Sequence, residues 1–77
     1  MYYYVDVFIR FADKVYNREC VKEAKSVSAA LQEALDELPL SVEVEEIHSG
    51  IEPYRYFRVT SKNAVGRIVI GPAEVDY

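Results

Sequence analysis

The first eleven residues alternate between two unlike sets of side chains. In the segment YYYVDVFIRF (residues 2–11), the odd-numbered positions hold Tyr3, Val5, Val7, Ile9 and Phe11. The even-numbered positions hold Tyr2, Tyr4, Asp6, Phe8 and Arg10. A period of two, combined with aromatic and β-branched residues, predicts a β-strand. Residues 12–14 are typical of a turn, so residues 16–24 are predicted to return as the second strand of a hairpin.

The apolar period changes to that of a helix after residue 26. Apolar residues recur at spacings of three and four, at Val27, Ala30, Leu31, Ala34, Leu35 and Leu38. This spacing places them in one stripe of an α-helix. Ser26 is suited to the N-cap because its hydroxyl accepts a hydrogen bond from an amide of the first turn. Pro39 ends the predicted helix because it has no N–H donor.

Three further strands are predicted after the helix. They cover residues 41–47, 54–60 and 66–70, with loop or turn residues at Ser49, Gly50 and Pro53 and at positions 62–64. The predicted fold is therefore α+β in the order ββαβββ, a single antiparallel sheet with one helix packed on one face. Because no repeat, low-complexity tract or Gly/Ser-rich linker interrupts the chain, residues 1–77 are interpreted as a single domain.

A sheet covered by one helix leaves its other face uncovered. If the odd-numbered positions of the first strand meet the helix, then Tyr2, Tyr4 and Phe8 lie on the uncovered face, together with Arg10. The YRYFRV segment adds one of two sets to that face, Tyr54, Tyr56 and Arg58 or Arg55 and Phe57. Tyr and Arg are enriched at interaction hot spots, so this face is a candidate surface for a homodimer or for another partner. The alternative is cross-strand aromatic pairing that only stabilises the sheet.

The cysteine content and hydropathy bear on the compartment. The chain contains one cysteine, Cys20, which excludes an internal disulfide. No apolar run is long enough to span a membrane, and no basic segment precedes an apolar one as in a signal peptide. We therefore expect a cytoplasmic protein without membrane contact. Cys20 falls in a predicted strand and is interpreted as a small buried hydrophobic residue rather than as a nucleophile.

The sequence offers little for catalysis. Its single histidine, His48, and Cys20 lie in separate segments, and no acid is spaced to orient either one. Strand alternation puts Glu46 and His48 on one face but Glu45 on the other, so these residues do not form a metal-ligand set. The three glycines are isolated and do not form a phosphate-binding loop. We therefore expect no enzymatic activity, no metal and no cofactor.

The charges are segregated along the chain. The formal net charge is −4, yet no Lys or Arg lies between positions 26 and 54, while seven acidic residues do. In the predicted helix Glu33, Asp36 and Glu37 repel one another and oppose the helix dipole near its C-terminus. This arrangement suggests a basic partner, contacted by Glu33, Asp36, Glu37, Glu43, Glu45 and Glu46. The alternative is an ordinary solvated face that keeps a small protein in solution.

Direct binding of nucleic acid is not expected from the composition. The interleaved aromatic and basic residues of YRYFRV are those that stack on and contact single-stranded RNA. However, the sequence pI of about 4.9 gives no cationic groove for phosphates. The predicted order of elements also lacks the second helix of an RNA-recognition motif.

Residues 21–38 (VKEAKSVSAALQEALDEL) lead from a strand into the helix through an Ala-x-Ser entry at Ala24 and Ser26. Together with the order of elements, this junction resembles that of small anti-CRISPR proteins of phages and mobile elements. The resemblance implies a non-enzymatic inhibitor that binds a nucleic-acid-handling complex, such as a Cas effector, through surface charge. The main expectation is thus a small binding protein that presents an acidic surface to a basic partner. The alternative is a homodimeric or structural module that uses the face containing Tyr2, Tyr4 and Phe8.

Overall fold

The computed structural model describes residues 1–47 and 53–73. His48, Glu52 and the predicted loop at Ser49 and Gly50 lie outside these residues. The elements are the strands β1 (Tyr2–Phe11) and β2 (Lys14–Glu23), the helix α1 (Val27–Asp36), and the strands β3 (Val44–Ile47), β4 (Arg55–Val59) and β5 (Ala64–Pro72). Within the described residues, no helix has the length and apolarity needed to cross a lipid bilayer.

The five strands form one antiparallel sheet in the order β2-β1-β5-β4-β3. Together with the helix α1, this sheet confirms the predicted α+β class. The last strand, β5, lies at the centre between β1 and β4, whereas β2 and β3 form the two edges. Strands that are distant in sequence are therefore neighbours in the middle of the sheet.

The alternation of β1 separates a buried face from an open one, as predicted. Val5 and Ile9 are completely buried, and Val5 lies opposite the equally buried Ile70 of β5. Val7 lies opposite Ile68, which is also completely buried. The core consists of these residues together with Tyr3, Ala64 and inward-facing side chains of β4 and α1. Its apolar area, removed from water on one side of the sheet, supplies most of the driving force for folding.

The helix α1 packs on the sheet through its smallest side chains. Ala30 and Ala34 are buried, so the helix backbone lies close to β1 and β5. Ser26 is the N-cap, since its Oγ accepts a hydrogen bond from the amide of Ala29 at 3.1 Å. The helix ends at Asp36, before the predicted end at Leu38. The amide of Leu38 donates to the carbonyl of Leu35 at 3.2 Å, which tightens the last turn.

Several strand boundaries differ from the prediction. β2 begins at Lys14 and β3 only at Val44, and β5 extends from Ala64 to Pro72. β5 continues through Gly71 and Pro72 because β1 pairs with it along its whole length, with Tyr3 of β1 opposite Pro72. The sequence pattern treats Gly71 and Pro72 as a stop, because it does not reveal that the neighbouring strand continues.

Candidate functional site

The face of the sheet opposite α1 is the candidate site, and we call it the open face. Phe57 and Val59 of β4 are buried on the helix side, so Tyr56 and Arg58 belong to the open face. Of the two sets that the sequence left open for this face, the structure therefore supports the one that contains Tyr56 and Arg58 over the one that contains Phe57. Tyr54 lies directly before β4, and its ring covers Gly71 of β5. The predicted positions of Tyr2, Tyr4 and Phe8 are on this face as well, because their neighbours in β1 are buried.

A shallow hollow of about 500 Å³ occupies the part of the open face that β1, β5, β4 and β3 form. We call it the arginine hollow, because three of its lining residues are arginines. It is lined by Phe8, Arg10, Ile47, Tyr56, Arg58, Val65, Gly66 and Arg67. Such a combination of aromatic, aliphatic and guanidinium groups suits contact with a partner that carries carboxylates beside an apolar surface.

The arginines of the hollow lie side by side on adjacent strands. Arg58 of β4 is directly opposite Arg67 of β5, an arrangement that costs free energy because like charges face each other. The guanidinium of Arg67 lies over the ring of Phe8, 5.4 Å from its centroid. Arg58 pairs with Glu45, whose Oε2 lies 3.7 Å from Nη2 of the arginine. Among the described residues, this is the one ion pair formed by the three arginines of the hollow.

Carboxylates cluster on the open face at the junction of β1 and β2. Asp6 lies directly opposite Glu19, so two negative charges face each other across this strand pair. Partial burial raises the pKa of the Tyr4 hydroxyl, and so do its hydrogen bond with Glu19 and the negative charge of Asp6. The open face therefore has an acidic part, Asp6 and Glu19, beside the arginine hollow.

The predicted acidic surface is distributed over several places. At the end of α1, Glu37 is 2.6 Å from Lys22 Nζ and 3.4 Å from Arg18 Nη1, both on β2. The hydrogen bond from Lys22 lowers the pKa of Glu37, although partial burial acts in the opposite direction. Asp36 accepts a hydrogen bond from Gln32 at 3.0 Å. The chain thus supplies a basic partner for Glu37 itself.

Two further acidic residues of the prediction also have internal partners. Glu46 accepts two hydrogen bonds of 2.6 Å each from Arg55, and this contact raises the pKa of the guanidinium. Glu45 pairs with Arg58 on the open face. Within residues 1–47 and 53–73, Glu33 and Glu43 form no ion pair. Their role towards a basic partner stays a prediction.

Arg67, Asp6 and Glu19 also lie on the open face, although the sequence pattern did not single them out as members of the site. A signal for Arg67 exists in the alternation of β5, since Ile68 and Ile70 are buried and place Arg67 on the other face. The pairing of Asp6 with Glu19 depends on the register of the hairpin, which periodicity does not specify.

The described residues hold no group of three or more His, Cys, Asp or Glu side chains arranged to bind a metal ion. Cys20 is a half-buried free thiol on the helix side of β2.

No family model matches the chain, and no curated protein or solved structure shows significant similarity to it.

Proposed function

We propose that the chain is a small non-catalytic protein-binding module whose contact surface is the open face of its sheet. The observation that carries this proposal is the arginine hollow, in which Arg58 and Arg67 lie opposite each other beside Phe8 and Tyr56. Tyr and Arg side chains supply both apolar area and hydrogen-bonding ends, and for this reason they dominate the energetics of protein interfaces.

The charges of the arginine hollow favour binding of a partner there. Opposite charges on facing strands stabilise a sheet, whereas Arg58 facing Arg67 destabilises it. A partner that places carboxylates between the guanidinium groups removes this repulsion and forms charge-assisted hydrogen bonds. The aromatic rings beside them contribute apolar contact area at little cost in conformational entropy, since each ring has few rotatable bonds.

Photo-crosslinking tests which surface binds the partner. A photoreactive phenylalanine analogue replaces Tyr56 in the hollow or, in a matched variant, Gln32 on the exposed side of α1. We expect cells that produce the protein to give a protein adduct of the Tyr56 variant after irradiation, and none of the Gln32 variant. Adducts at position 32 with none at position 56 would contradict the proposal, and so would the absence of adducts at both.

The acidic surface expected from the sequence is a second candidate. Glu33 and Glu43 form no ion pair among the described residues, so both carboxylates are available to a basic partner such as a nucleic-acid-handling complex. In this case the adduct forms at position 32 and is lost when Glu33→Lys and Asp36→Lys are added. Glu37 is kept in that variant because it joins α1 to β2.

A further inference from the structure

We propose that the occupant of the open face is a second copy of the chain, arranged about a two-fold axis that lies in the interface. This inference rests on the proposed function, since it names the partner of the same surface. The arrangement brings the acidic pair Asp6 and Glu19 of each copy against the arginines of the other.

Four open-face residues at the centre of the sheet define the geometry. Asp6 of β1 is opposite Val69 of β5, and Phe8 of β1 is opposite Arg67 of β5. Neighbouring strands are about 4.8 Å apart, and residues two apart on a strand are separated by about 6.8 Å. The four side chains therefore occupy the corners of a small rectangle. Asp6 and Arg67 lie on one diagonal, and the two apolar residues lie on the other.

A two-fold axis along the apolar diagonal makes this face complementary to itself. The rotation brings Phe8 and Val69 against the same residues of the second copy, so the centre of the contact is apolar. The same rotation brings Asp6 close to the second copy's Arg67. Glu19 lies next to Asp6 on the edge strand, and it approaches the second copy's Arg58. Each chain has two pairs of like-charged neighbours, Asp6 with Glu19 and Arg58 with Arg67. In the dimer, each of these pairs faces the oppositely charged pair of the second copy.

The shape of the face is consistent with this arrangement. The arginine hollow lies over β1, β5, β4 and the end of β3, and the rotation places the side chains of Asn17 and Glu19 from the second copy above it. The molecule measures 40 × 25 × 17 Å, so its broad side has room for the contact of about 800 Å² per copy that is usual in stable dimers.

The charge of the open face distinguishes a second copy from a polyanion. Asp6 and Glu19 lie next to the arginines, and the chain has a formal net charge of −4. A nucleic acid or a uniformly acidic peptide is repelled by these carboxylates. A second copy instead brings arginines to these carboxylates. The two-fold rotation places the arginines of each copy against the acidic pair of the other.

Sedimentation equilibrium of the purified chain tests the dimer, with an expected mass of twice 8.9 kDa at tens of micromolar. Asp6→Arg and Arg67→Asp each place like charges across the contact, and we expect each to raise the dissociation constant at least tenfold. An equimolar mixture of these two variants regains opposite charges at both contacts and sediments as a dimer. Mixing does not alter repulsion within a chain, so this rescue reports contact between copies.

Matched controls carry the same charge changes away from the open face. Glu33→Lys changes the charge as Asp6→Arg does, and Lys62→Asp changes it as Arg67→Asp does; both are expected to remain dimeric. A monomeric wild-type chain at tens of micromolar would overturn the inference, as would a dimer unaffected by either open-face variant or a mixture that stays monomeric. If the purified chain is monomeric but position 56 crosslinks to a different protein in cells, the proposed function stands and the second copy is excluded.

Discussion

Lys22 on the edge strand donates a hydrogen bond to Glu37 at the end of the helix, with Nζ 2.6 Å from Oε1. Lys22 is largely buried and Glu37 is partly so, with side-chain exposures of 13% and 39%. This contact ties the C-terminal end of α1 to β2. It also accounts for an acidic residue where the helix dipole disfavours one, because a cation from another element lies beside it.

The pH dependence of stability follows from this pair. The pKa of Glu37 is lowered from its ordinary value of 4.5, mainly by the hydrogen bond from Lys22. The stabilisation of the fold by the Lys22–Glu37 contact is therefore present at neutral pH and is lost as the pH falls through the lowered pKa of Glu37. We expect Glu37→Gln to reduce the free energy of unfolding at pH 7 by about 0.5–1 kcal/mol, a modest value because the pair is partly solvated.

The measurement for this prediction is urea unfolding of the wild-type chain and the Glu37→Gln variant over a series of pH values. We expect the difference between them to vanish below the lowered pKa of Glu37, where the wild-type carboxyl group is protonated. Glu33→Gln is the control, because Glu33 is an exposed glutamate of the same helix without an ion pair among the described residues. An equal loss in the two variants would contradict the role assigned to Lys22.

Gly66 marks a close approach between the central strand β5 and its neighbour β1. A Cβ at this position would collide with the carbonyl oxygen of Phe8 and lie 2.7 Å from the Cα of Ile9, both backbone atoms of β1. We expect Gly66→Ala to destabilise the chain by about 2–3 kcal/mol, since the strands must separate to admit the methyl group. Thermal unfolding measures this loss.

Gly71→Ala is the matched comparison for Gly66→Ala. Its Cβ would meet the ring of Tyr54, which is 45% exposed and therefore has room to rotate into solvent. We expect a loss of stability below about 1 kcal/mol, with displacement of the tyrosine ring as the main effect. If Gly71→Ala were the more damaging of the two changes, the assignment of the close backbone approach to Gly66 would be wrong.

Ile68 lies at the centre of the core, opposite Val7 and completely buried. Ile68→Ala removes apolar contacts and leaves a cavity, so we expect a loss of about 2–5 kcal/mol in the free energy of unfolding. Val65→Ala, at a position on the same strand that is 73% exposed, is expected to change stability by less than about 0.5 kcal/mol. Comparable losses in the two variants would contradict the assignment of the faces of β5.

Ser26 begins the helix by accepting a hydrogen bond from the amide of Ala29 at 3.1 Å. We expect Ser26→Ala to reduce stability by about 1 kcal/mol, because that amide then lacks its acceptor. Ser28→Ala, an exposed serine in the first turn, removes a hydroxyl that does not cap the helix and is expected to be neutral or slightly stabilising. Chemical denaturation compares the two variants, and a smaller loss for Ser26→Ala than for Ser28→Ala would exclude Ser26 as the cap.

Local periodicity predicted the parts of this fold that local physics controls. The two faces of β1 and the helix cap at Ser26 follow from side-chain spacing and hydrogen-bonding chemistry within a few residues. The position of Phe8 on the uncovered face follows from the same spacing. These features need no knowledge of which strands become neighbours, because each depends on residues close together in the chain.

The tertiary structure alone decided which side chains meet. Strand periodicity does not specify that β5 inserts between β1 and β4, since that pairing depends on long-range packing of the core. The insertion places Arg67 over Phe8 and opposite Arg58, and so creates the arginine hollow. The packing of α1 on the sheet likewise brings Glu37 to Lys22. The sequence pattern suggested that Glu37 contacts a basic partner protein, whereas Lys22 of the same chain supplies a basic group for it.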